Sequence, residues 1–276
     1  MAYRIEYWTN APDDVYPSVL EVSSAKGAEL LVASNEDDPG EPTIGRFSMR
    51  ADAAVFTPLL DAVTAPGFAA AGAPAAAEPG ELIRRFSVAV DSKPEVVRIV
   101  TETMKPDAPF AAAENLALQL MKKVRQHPRR VLALENFALN FSSVADRLEV
   151  TFTLANPGPE PVAIPSPERW APANIQLTVT ARRSDVPLAQ MGNQHQVFVQ
   201  LEAGHLVELV PPAGKGGLLL LDPGQELRLR FEKALPPLMP GKYDVWGTFS
   251  VQLLDAKGSE ITQGELASPR QPLQRW

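Results

Sequence analysis

The chain has 276 residues with a formal net charge of −7, is 45% hydrophobic, and contains 27 prolines and no cysteine. That length suits one large or two ordinary domains and buries roughly 70–75% of the surface the unfolded chain exposes, so no covalent staples are needed. The missing cysteine excludes disulfides, thiol catalysis and cysteine-ligated metal, and the acidic balance argues against general nucleic-acid binding while suiting a partner of basic character.

In chain order, Tyr3–Trp8, Val19–Ser23, Glu29–Ala33 and Ile44–Met49 read as strands, with a helix over Ala53–Val63. The opening MAYRIEYWTNAPDD lacks a basic n-region and an apolar h-region, and the apolar runs are too short to span a bilayer, so a soluble cytoplasmic protein is the expectation. Asn35-Glu36-Asp37-Asp38-Pro39-Gly40-Glu41 gathers four carboxylates. Calcium favours such oxygen ligands, but the EF-hand spacing is missing. A solvated turn is the first reading, a weak cation site or an acidic contact for a basic partner the others. Ala65–Gly80, rich in Ala, Pro and Gly, reads as a loop or linker.

An echo straddles that loop: Arg46-Phe47-Ser48-Met49-Arg50-Ala51-Asp52 resembles Arg85-Phe86-Ser87-Val88-Ala89-Val90-Asp91. Each copy is expected to run from a strand into a helix, with Ser92-Lys93-Pro94-Glu95 supplying a capping box for the second. Chance similarity and a duplicated β–α unit both remain open. The strongest helix is Phe110–His127, opened by Asp107 and Pro109, apolar at Leu116, Leu120 and Val124, and stopped by Pro128.

From Val131 onward the helical period disappears. Val131–Phe141, Leu148–Leu154, Ile175–Ala181, Val197–Leu201, Leu206–Val210, Leu218–Leu221, Leu227–Phe231 and Tyr243–Leu253 are short strands between turn signals, the spacing of an antiparallel sandwich. Leu227, Leu229 and Phe231 alternate with Arg228, Arg230 and Glu232, the period of a half-buried strand. Asp222-Pro223-Gly224 and Pro240-Gly241 provide the preset φ and the φ > 0 position of tight turns.

The run LEVTFTLANPGPEPVAI (Leu148–Ile164), the turn Pro223-Gly224-Gln225-Glu226 and the hairpin Pro240-Gly241-Lys242-Tyr243-Asp244-Val245 together resemble immunoglobulin-like domains of the bacterial intracellular proteinase-inhibitor (BsuPI-like) type. The resemblance covers about half the chain. It implies an immunoglobulin-like fold and an inhibitor-like function, and no inhibitory residue carries over.

Motifs of chemistry are scarce. There is no GxSxG, HExxH or dinucleotide GxGxxG. His127 precedes Pro128 at a helix end, where an imidazolium suits the dipole; His195 sits in a polar loop; His205 and Glu208, three apart on a strand, point to opposite faces. No metal or cofactor site is expected. Lys122, Lys123, Arg125, Arg129 and Arg130 suit a helix C-terminus, and Ala213-Gly214-Lys215-Gly216-Gly217 lacks the frame of a Walker loop. Aromatic residues give the interaction candidates: Trp170 closes the proline-rich stretch Pro157–Trp170, and Met239, Tyr243 and Trp246 surround a hairpin. Of the alternating sets Asp244, Trp246, Thr248 and Tyr243, Val245, Phe249, one must face inward.

The sequence therefore predicts an α+β N-terminal domain (1–130, with an Ala/Pro/Gly-rich loop at 65–80) and an all-β immunoglobulin-like sandwich (131–276). The expected function is non-enzymatic protein binding, as an inhibitor-like module or as an immunity or adaptor protein for a bacterial toxin, with Trp170, Met239, Tyr243 and Trp246 as partner-binding residues. The alternative is a hydrolase with dispersed carboxylates or histidines in the N-terminal domain.

Overall fold

A computed structural model describes residues 1–10, 18–34, 42–50, 52–69, 83–101, 103–142, 147–211, 216–234 and 238–275. The fold is mostly antiparallel β and divides into two compact units, Met1–Ala33 with Arg46–Arg129, and Ser34–Gly45 with Arg130–Trp276. The segment Ser34–Gly45, which a contiguous 1–130 domain would keep in the first unit, belongs to the second. The Pro42 carbonyl accepts a bond from Leu134 N at 2.8 Å, and Ile44 is buried with Leu132 and Leu134.

In the first unit, strands β1 (Tyr3–Asn10), β2 (Ser18–Ser23), β3 (Gly27–Val32), β5 (Ile83–Val90) and β6 (Val96–Thr101), with the Arg46–Met49 part of β4 (Thr43–Met49), form a sheet of order β4-β3-β2-β1-β5-β6. Helices α1 (Ala53–Thr64), α2 (Pro66–Ala69) and α3 (Ala108–Val124) supply Phe56, Phe68 and Phe110 to its core. The Phe86 ring lies 4.6 Å from Tyr7, 5.6 Å from Phe68 and 5.4 Å from Phe110. These are the tilted and edge-on spacings aromatic quadrupoles favour. Asp107 starts α3 as its sequence position implies: its carboxylate accepts from Phe110 N at 2.9 Å and from the Arg98 guanidinium at 2.8 and 3.3 Å. The Tyr7 hydroxyl donates to Glu114 at 3.0 Å. Burial and then the Glu114 charge push its pKa up, so the phenol keeps its proton and remains a donor.

Two expectations change in this unit. The second echo copy does not enter a helix. Asp91, at φ +49°, turns β5 into an antiparallel hairpin with β6, whose Val96 pairs with Val88. Val96–Thr101 (VVRIVT) is rich in β-branched residues, which favour a strand over a helix, and Glu95 accepts from the Ser87 hydroxyl instead of capping. The Ala/Pro/Gly-rich loop expected at 65–80 begins with α2, because Phe68 is fully buried; residues 70–80 lie outside the described residues.

The second unit packs two sheets around one core. One is β12 (Leu206–Val210), β14 (Glu226–Ala234), β8 (Arg147–Ala155) and β7 (Pro128–Ser142, from Arg130 in this unit), in that order. The other is β11 (Gln196–Leu201), β10 (Ile175–Arg183), β15 (Gly241–Asp255), β9 (Val162–Pro165) and β13 (Leu218–Leu221), with β16 (Glu260–Ala267) and β17 (Gln271–Arg275) also on β15. Leu227, Leu229 and Phe231 face the core, as their alternation predicts, beside Phe137, Phe152 and Phe249. Pro223-Gly224 forms the anticipated turn: Gln225 N donates to Asp222 O at 2.9 Å, with Gly224 at φ +74°. That is the left-handed third position of a type II turn. The turn after β8 closes on a buried Asn156, whose Nδ2 donates to Glu160 O and Leu221 O and whose Oδ1 accepts from Gly158 N. Strands β16 and β17 were absent from the predicted set. In β16 the run Gln263-Gly264-Glu265 weakens the apolar alternation, and in β17 Pro272 is tolerated because the strand pairs on β15 alone.

The two sheets approach closely at Gly247. Gly247 on β15 lies under the Phe137 and Phe152 rings, and a Cβ there would meet Phe137 Cε2 at 2.4 Å. Gly247→Ala should therefore lower stability by about 1–3 kcal/mol, read as a reduced urea midpoint with an unchanged m-value. Adding Phe137→Leu should recover part of that loss. A Gly247→Ala midpoint equal to wild type would show that the rings move aside without cost.

Candidate functional site

The outer face of the second sheet in the second unit is built by the alternation of β15. Tyr243, Val245, Gly247 and Phe249 point into the core, so Asp244, Trp246 and Thr248 point out. Register then decides their neighbours: Trp246 pairs with Thr180 on β10, and Thr180 with Phe198 on β11. Phe198 is 66% exposed on the terminal strand of the sheet, whereas Thr180 between the two rings is only 5% exposed. Phe198, Thr180 and Trp246 thus form a cross-strand row with aromatic side chains at both ends.

Two guanidinium groups join it. Arg182 lies 5.7 Å from the Trp246 ring centroid and Arg270 4.9 Å, distances at which the negative ring face attracts a cation. Arg182 shares the face because it is two residues from Thr180; Arg270 comes from the connection between β16 and β17. Asp244 is the cross-strand partner of Arg182 in register. Among the described residues, neither Arg182 nor Arg270 meets a carboxylate within ion-pair distance.

The four residues singled out from sequence do not converge. Trp246 stands on this outer face. Tyr243 is a core residue, 3% exposed, with its hydroxyl donating to the Met239 carbonyl at 2.8 Å, and so offers a partner no surface. Met239, whose carbonyl takes that bond, is 58% exposed ahead of β15. The Trp170 ring packs 6.0 Å from Phe231 and its Nε1 donates to Pro165 O at 2.9 Å, so its polar edge is committed internally. Phe198, Arg182 and Arg270 were missed. One signal was readable: in Gln196–Leu201, Val197, Val199 and Leu201 take the inner set, which leaves Phe198 as an aromatic among glutamines.

The other candidates resolve into local structure. His195 Nδ1 accepts from Gly192 N and His205 Nδ1 from Glu202 N, both at 3.0 Å, while Glu208 pairs with Arg228 and Arg230. Among the described residues no three metal-ligating side chains converge, and no helix is long and apolar enough to cross a membrane. The acidic run 35–41 and residues 212–215 of the glycine-rich turn lie outside the described residues. Open clefts lined by described residues carry charged groups. One in the first unit, about 800 Å³, is lined by Lys26, Glu29, Arg50, Asp52, His127 and Arg129, with Asp52 Oδ1 engaged by Ala54 N as the α1 cap. One in the second unit, about 490 Å³, lies at the β7 bulge beside Glu135 and Asn136.

No family model matches the chain, and no curated protein matches it. Among solved structures, a structural-genomics target aligns over 50% of this chain and 87% of its own at 12% identity and a TM-score of 0.25. The putative ApaA protein from Bordetella pertussis aligns over 50% and 99% at 14% identity and a TM-score of 0.22. β-Glucosidase 3B from Thermotoga neapolitana aligns over 52% and 17% at 12% identity and a TM-score of 0.19. Likenesses this distant carry no argument about function.

One ion pair secures the β10–β15 end of the sheet. Arg183 donates to both Asp185 oxygens at 2.6 and 2.8 Å while Ser184 N donates to Lys242 O. The Arg183 hydrogen bonds hold the Asp185 carboxyl down to about 2. Because the folded value lies below the unfolded one, near 3.9, this stabilisation is present above the ordinary carboxylate range and fades as pH falls from about 4 toward 2. A carboxyl-carbon NMR titration should place the Asp185 midpoint near 2; a midpoint near 4 would contradict the bidentate geometry.

Proposed function

We propose that the protein is a non-enzymatic protein-binding module of the cytoplasm, inhibitor-like or an immunity or adaptor protein. Its second unit is proposed to be an immunoglobulin-like sandwich of the BsuPI-like type, and its first an α+β domain. Phe198 is the observation that carries the reading. A phenylalanine two-thirds exposed on a sheet face, in one row with Trp246, presents rigid apolar area of the kind that anchors protein interfaces. The two-sheet packing and the Pro-Gly turns support the sandwich assignment, and the turn and hairpin motifs support its inhibitor-like type.

Affinity capture from native lysate tests this reading. The wild type should retain a stoichiometric protein that is lost with Phe198→Ser or Trp246→Ala, while thermal unfolding stays within a few degrees because both side chains point outward. Equal capture by wild type and both variants would sink it.

A hydrolase is the second reading, motivated by the first-unit cleft that His127, Glu29 and Asp52 line together. An imidazole and carboxylates at one cleft are the groups that general acid–base chemistry needs. On this reading the purified protein hydrolyses p-nitrophenyl acetate and His127→Ala abolishes the rate. A rate indistinguishable between wild type and His127→Ala would remove it.

A further inference from the structure

We infer that the outer face of β11, β10 and β15 receives an acidic segment of a protein partner, one that carries apolar side chains beside its carboxylates. The inference rests on the protein-binding reading above and adds the chemistry of the occupant. Two guanidinium groups, Arg182 and Arg270, gather over the one indole of Trp246 at 5.7 and 4.9 Å. Two cations held at one ring repel each other, and among the described residues no carboxylate closes on either of them. Asp244, on the same face, offsets one of these charges at most. A carboxylate from outside would relieve the repulsion and accept charge-assisted bonds from planar donors already set in place by stacking. Phe198, beside them in register, supplies the apolar anchor.

The sign of this face is opposite to that of the whole chain, which carries a net charge of −7. Net charge governs solubility and long-range steering, whereas a contact is chosen by the charges that meet in it. The acidic balance by itself pointed to a basic partner; the local pair of arginines points the other way. The partner lies on the face rather than along the edge of β11, because Lys233 Nζ already donates to the Gln200 carbonyl there at 2.6 Å. Lys233 reaches that strand from β14 of the other sheet, and covering a terminal strand is a common guard against strand addition.

The probe is a fluorescein-labelled octapeptide alternating glutamate with leucine, compared by anisotropy at low salt with its lysine–leucine counterpart and a glycine–serine octamer. The glutamate peptide should bind above both controls, weaken as salt is raised, and lose about tenfold in affinity with Arg182→Gln/Arg270→Gln or with Phe198→Ser. Circular dichroism and thermal unfolding of the variants should match wild type. Preference for the lysine peptide, binding unchanged in the arginine variant, or no binding above the glycine–serine control overturns the inference. If lysate capture still depends on Phe198 in that case, the protein-binding reading survives and only its acidic partner falls. A dimer in sedimentation that Phe198→Ser dissolves would likewise overturn it, in favour of a second copy as occupant.

Discussion

The second unit depends on one close approach. Gly247 sits in the middle of β15, the fifteen-residue strand that pairs with β10, β9, β16 and β17, and the Phe137 and Phe152 rings from the opposite sheet occupy the space a side chain there would fill. Protein interiors are packed too tightly to absorb that displacement freely. Because Phe152 also lies 6.3 Å from Phe231 and 6.0 Å from Phe249, the same rings link both sheets into a single core. The parity of β15 follows. Once Gly247 faces inward, Tyr243, Val245 and Phe249 must as well, and Trp246 is left on the outside.

That parity connects packing to the candidate surface. A one-residue shift of β15 would bury Trp246 and expose Tyr243, since side chains alternate with period two. The outward Trp246 then finds its neighbours through the register of β10 and β11, and the two arginines through stacking. The outer face is thus a by-product of the core: the rings inside decide which ring stands outside.

The first unit uses polar groups to order its core instead. Arg98, buried against Phe68 and Phe110 at 5.0 and 5.3 Å, donates to the same Asp107 that caps α3. One carboxylate therefore fixes the start of the helix and neutralises a buried cation. The Tyr7–Glu114–Arg84 chain does the same on β1 and β5, with Arg84 donating to Glu114 at 3.1 Å. A buried charge without a partner is costly, and each of these is partnered by another element, Arg98 by the cap of the helix that follows its strand and Arg84 by a residue of α3 thirty positions on.

Local chemistry made a good part of this legible from sequence alone. The Pro223-Gly224 turn, the Asp107 cap and the alternation Leu227, Leu229, Phe231 are decided by residues within a few positions of one another, through preset dihedrals and side-chain–backbone bonds. The same reasoning failed at Ser92–Glu95, where capping residues were present but the β-branched run beyond them found a hairpin partner. It failed at Phe68, whose Ala/Pro/Gly-rich setting hides a buried ring, and at β16, whose pattern is diluted by polar residues. The inward face of β15, the row Phe198–Thr180–Trp246 and the meeting of Arg182 with Arg270 belong to tertiary structure only. Each depends on which strands lie side by side and in what register, a choice made by the whole core at once and carried by no single stretch of the chain.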